Sequence, residues 1–281
     1  MNAPVTRFHR IRTQLEAFTP PAGPASWVYE FALFGFKQAW ACLFGGMMLA
    51  LLLATHLFYP ADAPLARYDF LTVAALAVQL GLLLFRLETL DEAKVILAFH
   101  VVGTVMELFK TSAGSWVYPE PSLLRIGDVP LFSGFMYAAV GSYLARIWRI
   151  FAMQFEPFPK MVWAQMLGAA IYINFFSHHW LPDVRALLFA VLALLFWRTW
   201  ARFTVWREQR RMPLLLGWFL IAGFIWLAEN ISTFARAWTY PSQADGWTLV
   251  SPAKLGAWYL LMYISFMLVA SLHRRDEAQP D

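Results

Sequence analysis

Eight long apolar runs constrain this chain more than any other feature. They cover about 36–58, 70–86, 95–110, 131–148, 161–177, 184–203, 213–232 and 253–272. Each approaches the length needed to cross a hydrocarbon core of roughly 30 Å. No water inside such a core satisfies backbone N–H and C=O groups, so a lone segment crosses it as a helix. Hydrophobic residues fill 60% of the 281 positions and charged ones only 14%, too few to coat a soluble domain of that size. The expected fold is all-α, a polytopic membrane protein of about eight transmembrane helices.

Basic residues set the expected orientation. Arg67, Lys110, Arg125, Arg185, Arg236 and Lys254 fall on one side of that arrangement, and the other 16 of the 22 Lys and Arg fall opposite. Basic loops stay in the cytoplasm, so both termini are expected inside a bacterial inner membrane. The net charge of +4 is then a topology signal that calls for no nucleic-acid partner; membrane lipids are the expected neighbours. Cys42 is the single cysteine, which rules out a disulfide within the chain. The first thirty residues are polar and dotted with proline, unlike a cleavable signal peptide.

The chain also repeats itself. Glu107, Thr111, Ala113, Trp116, Tyr118 and Pro119 recur 122 residues later as Glu229, Thr233, Ala235, Trp238, Tyr240 and Pro241. The same offset carries Pro130, Gly134 and Tyr137 onto Pro252, Gly256 and Tyr259, and His56 and Pro60 onto His178 and Pro182. An ungapped offset over about 80 residues points to duplication of a four-helix unit. Four spans per unit give a parallel repeat, with a pseudo-two-fold along the membrane normal. The expected division is a cytoplasmic segment at 1–29, repeats at 30–150 and 155–275, and a cytoplasmic tail at 276–281. The basic link from Arg198 to Arg211 reads as a helix extension lying in the head groups. Glu30 and Lys37 read as snorkelling groups at the inner edge of the first span. The run from Arg86 to Lys94 reads as a solvated turn with capping carboxylates.

Everything the halves kept falls at the extracytoplasmic end. Glu107 and Glu229 sit high in their helices, where a charged carboxylate costs ~2.5–3.5 kcal/mol or more to insert. One reading makes each Glu a tie between its helix and the Trp-x-Tyr loop that follows. The other makes them an acid/base pair facing across the axis, since a neutral carboxyl there is a proton donor. His100 lies two turns below Glu107 on the same face, as a proton relay or a helix–helix hydrogen bond. Trp116, Tyr118, Tyr137, Trp238, Tyr240 and Tyr259 line a pocket for an apolar substrate or form an interfacial belt. His56 and His178, with His179, Asp183 and the two glutamates, suggest a weak metal site; helix capping is the competing reading. No cofactor, substrate or oligomeric state follows from these residues.

Four stretches resemble a bacterial integral-membrane family of unknown function, the YoaT-like family. They are Phe34-Gly-Phe-Lys-Gln-Ala-Trp-Ala-Cys-Leu-Phe-Gly45, Arg67-Tyr-Asp-Phe70, His100-Val-Val-Gly-Thr-Val-Met-Glu-Leu-Phe-Lys110 and Val129-Pro-Leu-Phe-Ser-Gly-Phe-Met-Tyr137. The resemblance spans nearly the whole chain and implies a polytopic membrane protein without naming an activity. A fainter likeness joins an acid, then Gly114-x-Trp116-x-Tyr118, then Val129-Pro130. It is similar to the integral-membrane carotenoid cyclases and hydratases, and implies an acid that protonates an isoprenoid double bond. Leu131-Phe-Ser-Gly stands where the cyclases carry an acidic pair. The leading expectation is a lipid- or isoprenoid-modifying enzyme using Glu107, Glu229 and His100. A small-solute or proton-coupled carrier, and a structural protein without turnover, are the alternatives.

Overall fold

In the computed structural model the chain is mostly helical, with a few short strands. The backbone is described for residues 7–21 and 23–278, and side chains for 11–21 and 23–271. The expected inner-side groups of Arg7, Arg10, Arg274 and Arg275, and the end of the 276–281 tail, lie outside those residues.

Helices α1 (Arg7–Ala17), α2 (Pro24–Ala41) and α3 (Leu43–Phe58) open the chain, and α2 and α3 bend by 67° at Cys42. α4 (Arg67–Leu84) and α5 (Leu90–Ser112) follow, then a small hairpin of β1 (Arg125–Ile126) and β2 (Val129–Pro130), then α6 (Phe132–Ile150). β3 (Gln154–Glu156) leads to α7 (Met161–Ser177) and α8 (Arg185–Phe196). The hairpin of β4 (Trp200–Thr204) and β5 (Gln209–Pro213) then leads to α9 (Leu214–Phe234) and α10 (Ala253–Ala278). Among the described residues four helices are long and apolar enough to cross a membrane: α4, α5, α9 and the Ala253–Ser271 part of α10. The bent α2–α3 pair makes a fifth if it counts as one span. α7 and α8 are apolar but shorter, at 17 and 12 residues.

Four expectations need correcting, all at the end where β3, β4 and β5 lie. The run 184–203 is not one helix: α8 stops at Phe196. The link from Arg198 to Arg211 is no helix extension but the greater part of an antiparallel sheet ordered β3-β4-β5. Ala201 and Phe203 turn toward the core while Trp200, Arg202 and Thr204 turn the other way, the period-two alternation of a strand. The register sets Arg202 directly opposite Arg211. Lys37 does not snorkel: it is buried, donates to the Val205 carbonyl at 2.7 Å and pairs with Glu16 at 2.8 Å. Glu88 is not solvated: it is buried against Arg146 at 3.0 Å, while Ser142 and Gln79 also donate to it. The capping carboxylate is present as expected, since Thr89 and Glu92 form a reciprocal capping box at the start of α5.

α5 and α6 form the closest helix pair, and glycines set their separation. A Cβ on Gly103 would lie 2.6 Å from Tyr137 Cβ, and one on Gly141 would lie 2.6 Å from the Phe99 ring. A Cβ on Gly134 would lie 2.5 Å from His100 Nδ1. Overpacking a tight contact typically costs about 1–3 kcal/mol. Gly103→Ala should therefore lower the melting temperature of the purified protein by several degrees. Gly81→Ala, whose Cβ meets nothing within 4 Å on α4, should leave it unchanged or slightly raised; tryptophan fluorescence during heating reads both.

Candidate functional site at the loop end

Each glutamate anchors the loop that follows its own helix. Near the end of α5, Glu107 Oε2 accepts from Trp116 Nε1 and Tyr118 Oη, both at 2.7 Å, and Oε1 accepts from Tyr137 Oη at 2.6 Å. On α9, Glu229 Oε1 accepts from Tyr240 Oη at 2.5 Å and Oε2 from Trp258 Nε1 at 2.7 Å. Burial pushes the Tyr118 and Tyr240 phenols well above their usual range, so each keeps its proton and serves as donor. Both carboxyls are buried, with 4% of Glu107 and 3% of Glu229 exposed.

The two loops have the same local geometry. After α5, Gly114 takes a left-handed conformation (φ 69°), and its N–H reaches Thr111 O while Ser115 N–H reaches Lys110 O. After α9, Arg236 does likewise (φ 53°), with its N–H on Thr233 O and Ala237 N–H on Ser232 O. These are paired helix C-caps of the kind glycine favours; the second loop tolerates an arginine in a conformation L-residues resist. The loops then meet. Val117 and Thr239, positions matched by the 122-residue offset, exchange both backbone hydrogen bonds at 3.0 and 2.9 Å. Arg67 and Tyr68 of α4 reach across to the carbonyls of Ala235 and Arg236. Trp116 packs edge-on against Tyr240, with Trp238 in the same buried cluster.

Some expected members stand elsewhere. Tyr259, the counterpart of Tyr137, does not reach Glu229. Its hydroxyl donates to the Leu215 carbonyl at 3.3 Å and its ring stacks on Phe189. Trp258 takes the place at Glu229, and repeat matching misses it because its counterpart is Met136. His100 packs on Phe135 at 4.5 Å between ring centroids, and its buried Nδ1 has no hydrogen-bond partner among the described residues. Glu107 is served by two phenols and an indole instead. His56 lies edge-on to Phe234, while His178 Nδ1 meets the Asn174 carbonyl and His179 meets Lys110 at 3.1 Å. Among the described residues no three His, Cys, Asp or Glu side chains gather as a metal site would require. Asp183 belongs to a surface pair: the Arg185 guanidinium, hydrogen-bonded to it, holds its carboxyl down at about 2.

A cavity of about 310 Å³ opens beside this assembly, among the end of α5, α7 and the starts of α8 and α10. Lys110, Lys254, Arg185 and His178 line it, with apolar walls from Ile171, Phe175, Ala257 and Leu260. Lys110 is 4% exposed and donates to the Phe175 carbonyl at 2.8 Å. Lys254 stands 4.4 Å from the Tyr240 ring centroid and 5.5 Å from that of Trp116. Neither glutamate lines the cavity; the Trp116 indole forms part of its wall and hydrogen-bonds Glu107.

The profile of a family described as a protein of unknown function, DUF817, matches residues 30–266. The chain belongs to this family. The protein described as "Uncharacterized protein YoaT" from Bacillus subtilis (strain 168) is 44% identical over 253 residues, covering 90% of this chain and 95% of that one. No solved structure matches.

The carboxyls can be tested as clasps. Glu107→Ala would leave three buried donors without an acceptor and Glu229→Ala two, at roughly 1–3 kcal/mol for each orphaned group. Glu107→Ala should therefore lower the melting temperature more than Glu229→Ala. Glutamine keeps one carbonyl for the two donors at Oε2 and can donate its amide to Tyr137. Glu107→Gln should stay within a few degrees of wild type.

Proposed function

We propose that the protein is a multi-pass protein of the bacterial inner membrane that binds a small organic anion in this cavity, and that it acts as a carrier. In this reading two duplicated four-helix units make eight spans, with both termini cytoplasmic and the Trp-x-Tyr loops outside. The loop-end cavity then faces the extracytoplasmic side, among the surrounding lipids. Carriers built from repeats place substrate at the repeat interface near the bilayer midplane, and these cations stand at the outer end of that interface.

One observation carries the proposal. The 122-residue offset matches Asn174 and Lys254 of the cavity wall to Leu52 and Phe132, both fully buried in a cluster with Tyr68 and Trp238. One side of the interface is filled with hydrocarbon. The matched side is left open and lined with positive charge. An anion there gains from two ammonium groups in a partly desolvated setting, the Arg185 guanidinium being paired with Asp183, while the apolar walls suit a short hydrocarbon or aromatic body.

Acid catalysis on a lipid or isoprenoid by Glu107 and Glu229 is the second reading. The Trp116 indole favours it, because it alone joins the cavity wall to the Glu107 carboxyl. Against it stands the engagement of both Glu107 oxygens by three donors.

Protein in nanodiscs should melt several degrees higher with millimolar aromatic carboxylates or phosphomonoesters, but not with amides or alcohols of the same size. Binding at a hundredfold excess over Kd stabilises by about 2.7 kcal/mol. Lys110→Met/Lys254→Met should abolish that difference. If no anion separates from its neutral analogue, the carrier reading falls. Topology has its own check. Leu123 is 88% exposed and Ser242 is exposed, whereas Ser122 is buried on Asp69. Leu123→Cys and Ser242→Cys, each with Cys42→Ser, should react with an impermeant maleimide on intact spheroplasts. Labelling only after lysis would reverse the orientation.

A further inference from the structure

At the opposite end, we propose that the outward face of the β3-β4-β5 sheet is a site for the phosphate head group of an anionic phospholipid. The proposal rests on the membrane reading but not on the anion cavity. Its first support is an electrostatic conflict. Arg202 and Arg211 are directly opposed across the β4–β5 ladder, and like charges in that relation destabilise a sheet. Glu156, on the neighbouring strand, forms an exposed ion pair with Arg202 at 3.7 Å, outside hydrogen-bond reach. Arg211 lies over the Trp200 ring at 4.9 Å, and its guanidinium has no hydrogen-bond acceptor among the described residues. These residues and Pro157 frame one shallow hollow. Two guanidiniums sharing a single, loosely held carboxylate leave a site that a phosphate completes, since each can present paired N–H donors to it.

The contrast within the hairpin sharpens the point. Arg210 is committed to Glu30, with hydrogen bonds at 2.9 and 2.5 Å, and Arg207 to Thr19 at 2.5 Å. Trp206 donates to the Glu16 carbonyl and Lys37 to that of Val205, so α1 and α2 fix the hairpin from its other side. Only the Arg202–Arg211 face is left open.

Depth places that face among head groups. β5 ends at Pro213 and α9 begins at the next residue. The 21 residues of α9 rise about 31 Å, close to the whole hydrocarbon thickness, so β5 lies at its boundary. Trp163, Trp197 and Trp200, on α7, after α8 and on β4, are exposed at the same end, as interfacial tryptophans are. The unpaired edges of β3 and β5 would be costly in hydrocarbon and are satisfied at the polar boundary.

The test uses full-length protein in nanodiscs of phosphatidylcholine with three-tenths phosphatidylglycerol. After mild detergent extraction, mass spectrometry counts the lipids retained per protein. Wild type should retain phosphatidylglycerol at least fivefold over its share in the disc, and Arg202→Gln/Arg211→Gln should fall to near that share. The double variant should melt no lower than wild type in pure phosphatidylcholine, because it removes the opposed charges. If it does melt lower, Arg211→Gln, whose side chain bonds no other residue described, carries the comparison. Absence of enrichment in wild type, or equal enrichment in the variants, overturns the proposal. So does an equal rise in melting temperature from inorganic phosphate in phosphatidylcholine discs, which would make the ligand a free anion.

Discussion

The loop end depends on the closure of each loop onto a carboxyl in the helix it leaves. A loop at a membrane boundary has several ways to lie, and a helix end has several carbonyls to satisfy. Glu107 and Glu229 remove that freedom by accepting, from inside the bundle, the indole and phenol protons of the residues that follow. With both loops fixed in the same geometry, their middles lie close enough for Val117 and Thr239 to exchange backbone hydrogen bonds. The short ladder between the halves follows from the two side-chain clasps.

The halves are also joined by contacts that have no mirror image. Arg67 and Tyr68 cap carbonyls beyond α9, whereas Lys110 caps one in α7. Each brings a long polar side chain of one half to backbone of the other, where an unsatisfied carbonyl is expensive. Equivalent needs are met by different residues in the two parts of the chain. At the sheet end Glu88 and Arg146 join α6 to the turn before α5, both fully buried as side chains, so the bundle is held by polar contacts at both ends.

What could be read in the residues was what lay close in sequence or recurred. The Glu-to-Trp-x-Tyr tie was legible because a helix end and its own loop are neighbours, and because the spacing appears twice. Trp258 was not, since its counterpart is a methionine and it arrives from 29 residues away. Lys37 looked like a snorkelling cation because its acceptor, Val205, is 168 residues distant. Arg198 to Arg211 looked like a basic helix because membrane chains so often place charge beside a span. The alternation in Trp-Ala-Arg-Phe-Thr was the strand signal, and α8 is shorter than its apolar run because Arg198 and the strand follow so soon.

Positions matched by the 122-residue offset also differ in how they fill the loop end. Where the first half set Leu52 and Phe132, burial of hydrocarbon closed the space, and Arg67 was left to reach backbone carbonyls and Glu120. Where the second half set Asn174 and Lys254, neither side chain could close the space without burying a polar group unpaired. Asn174 turned to Asp183 and the Val184 N–H, and Lys254 to the faces of Tyr240 and Trp116. The Lys110 ammonium is thus held by carbonyl, imidazole and ring face, neutral partners that leave its charge uncancelled, while Lys254 rests on ring faces within electrostatic reach of the Glu229 carboxyl. Packing alone would have favoured a second Leu and Phe, and the proposed anion is the occupant that such an opening would suit.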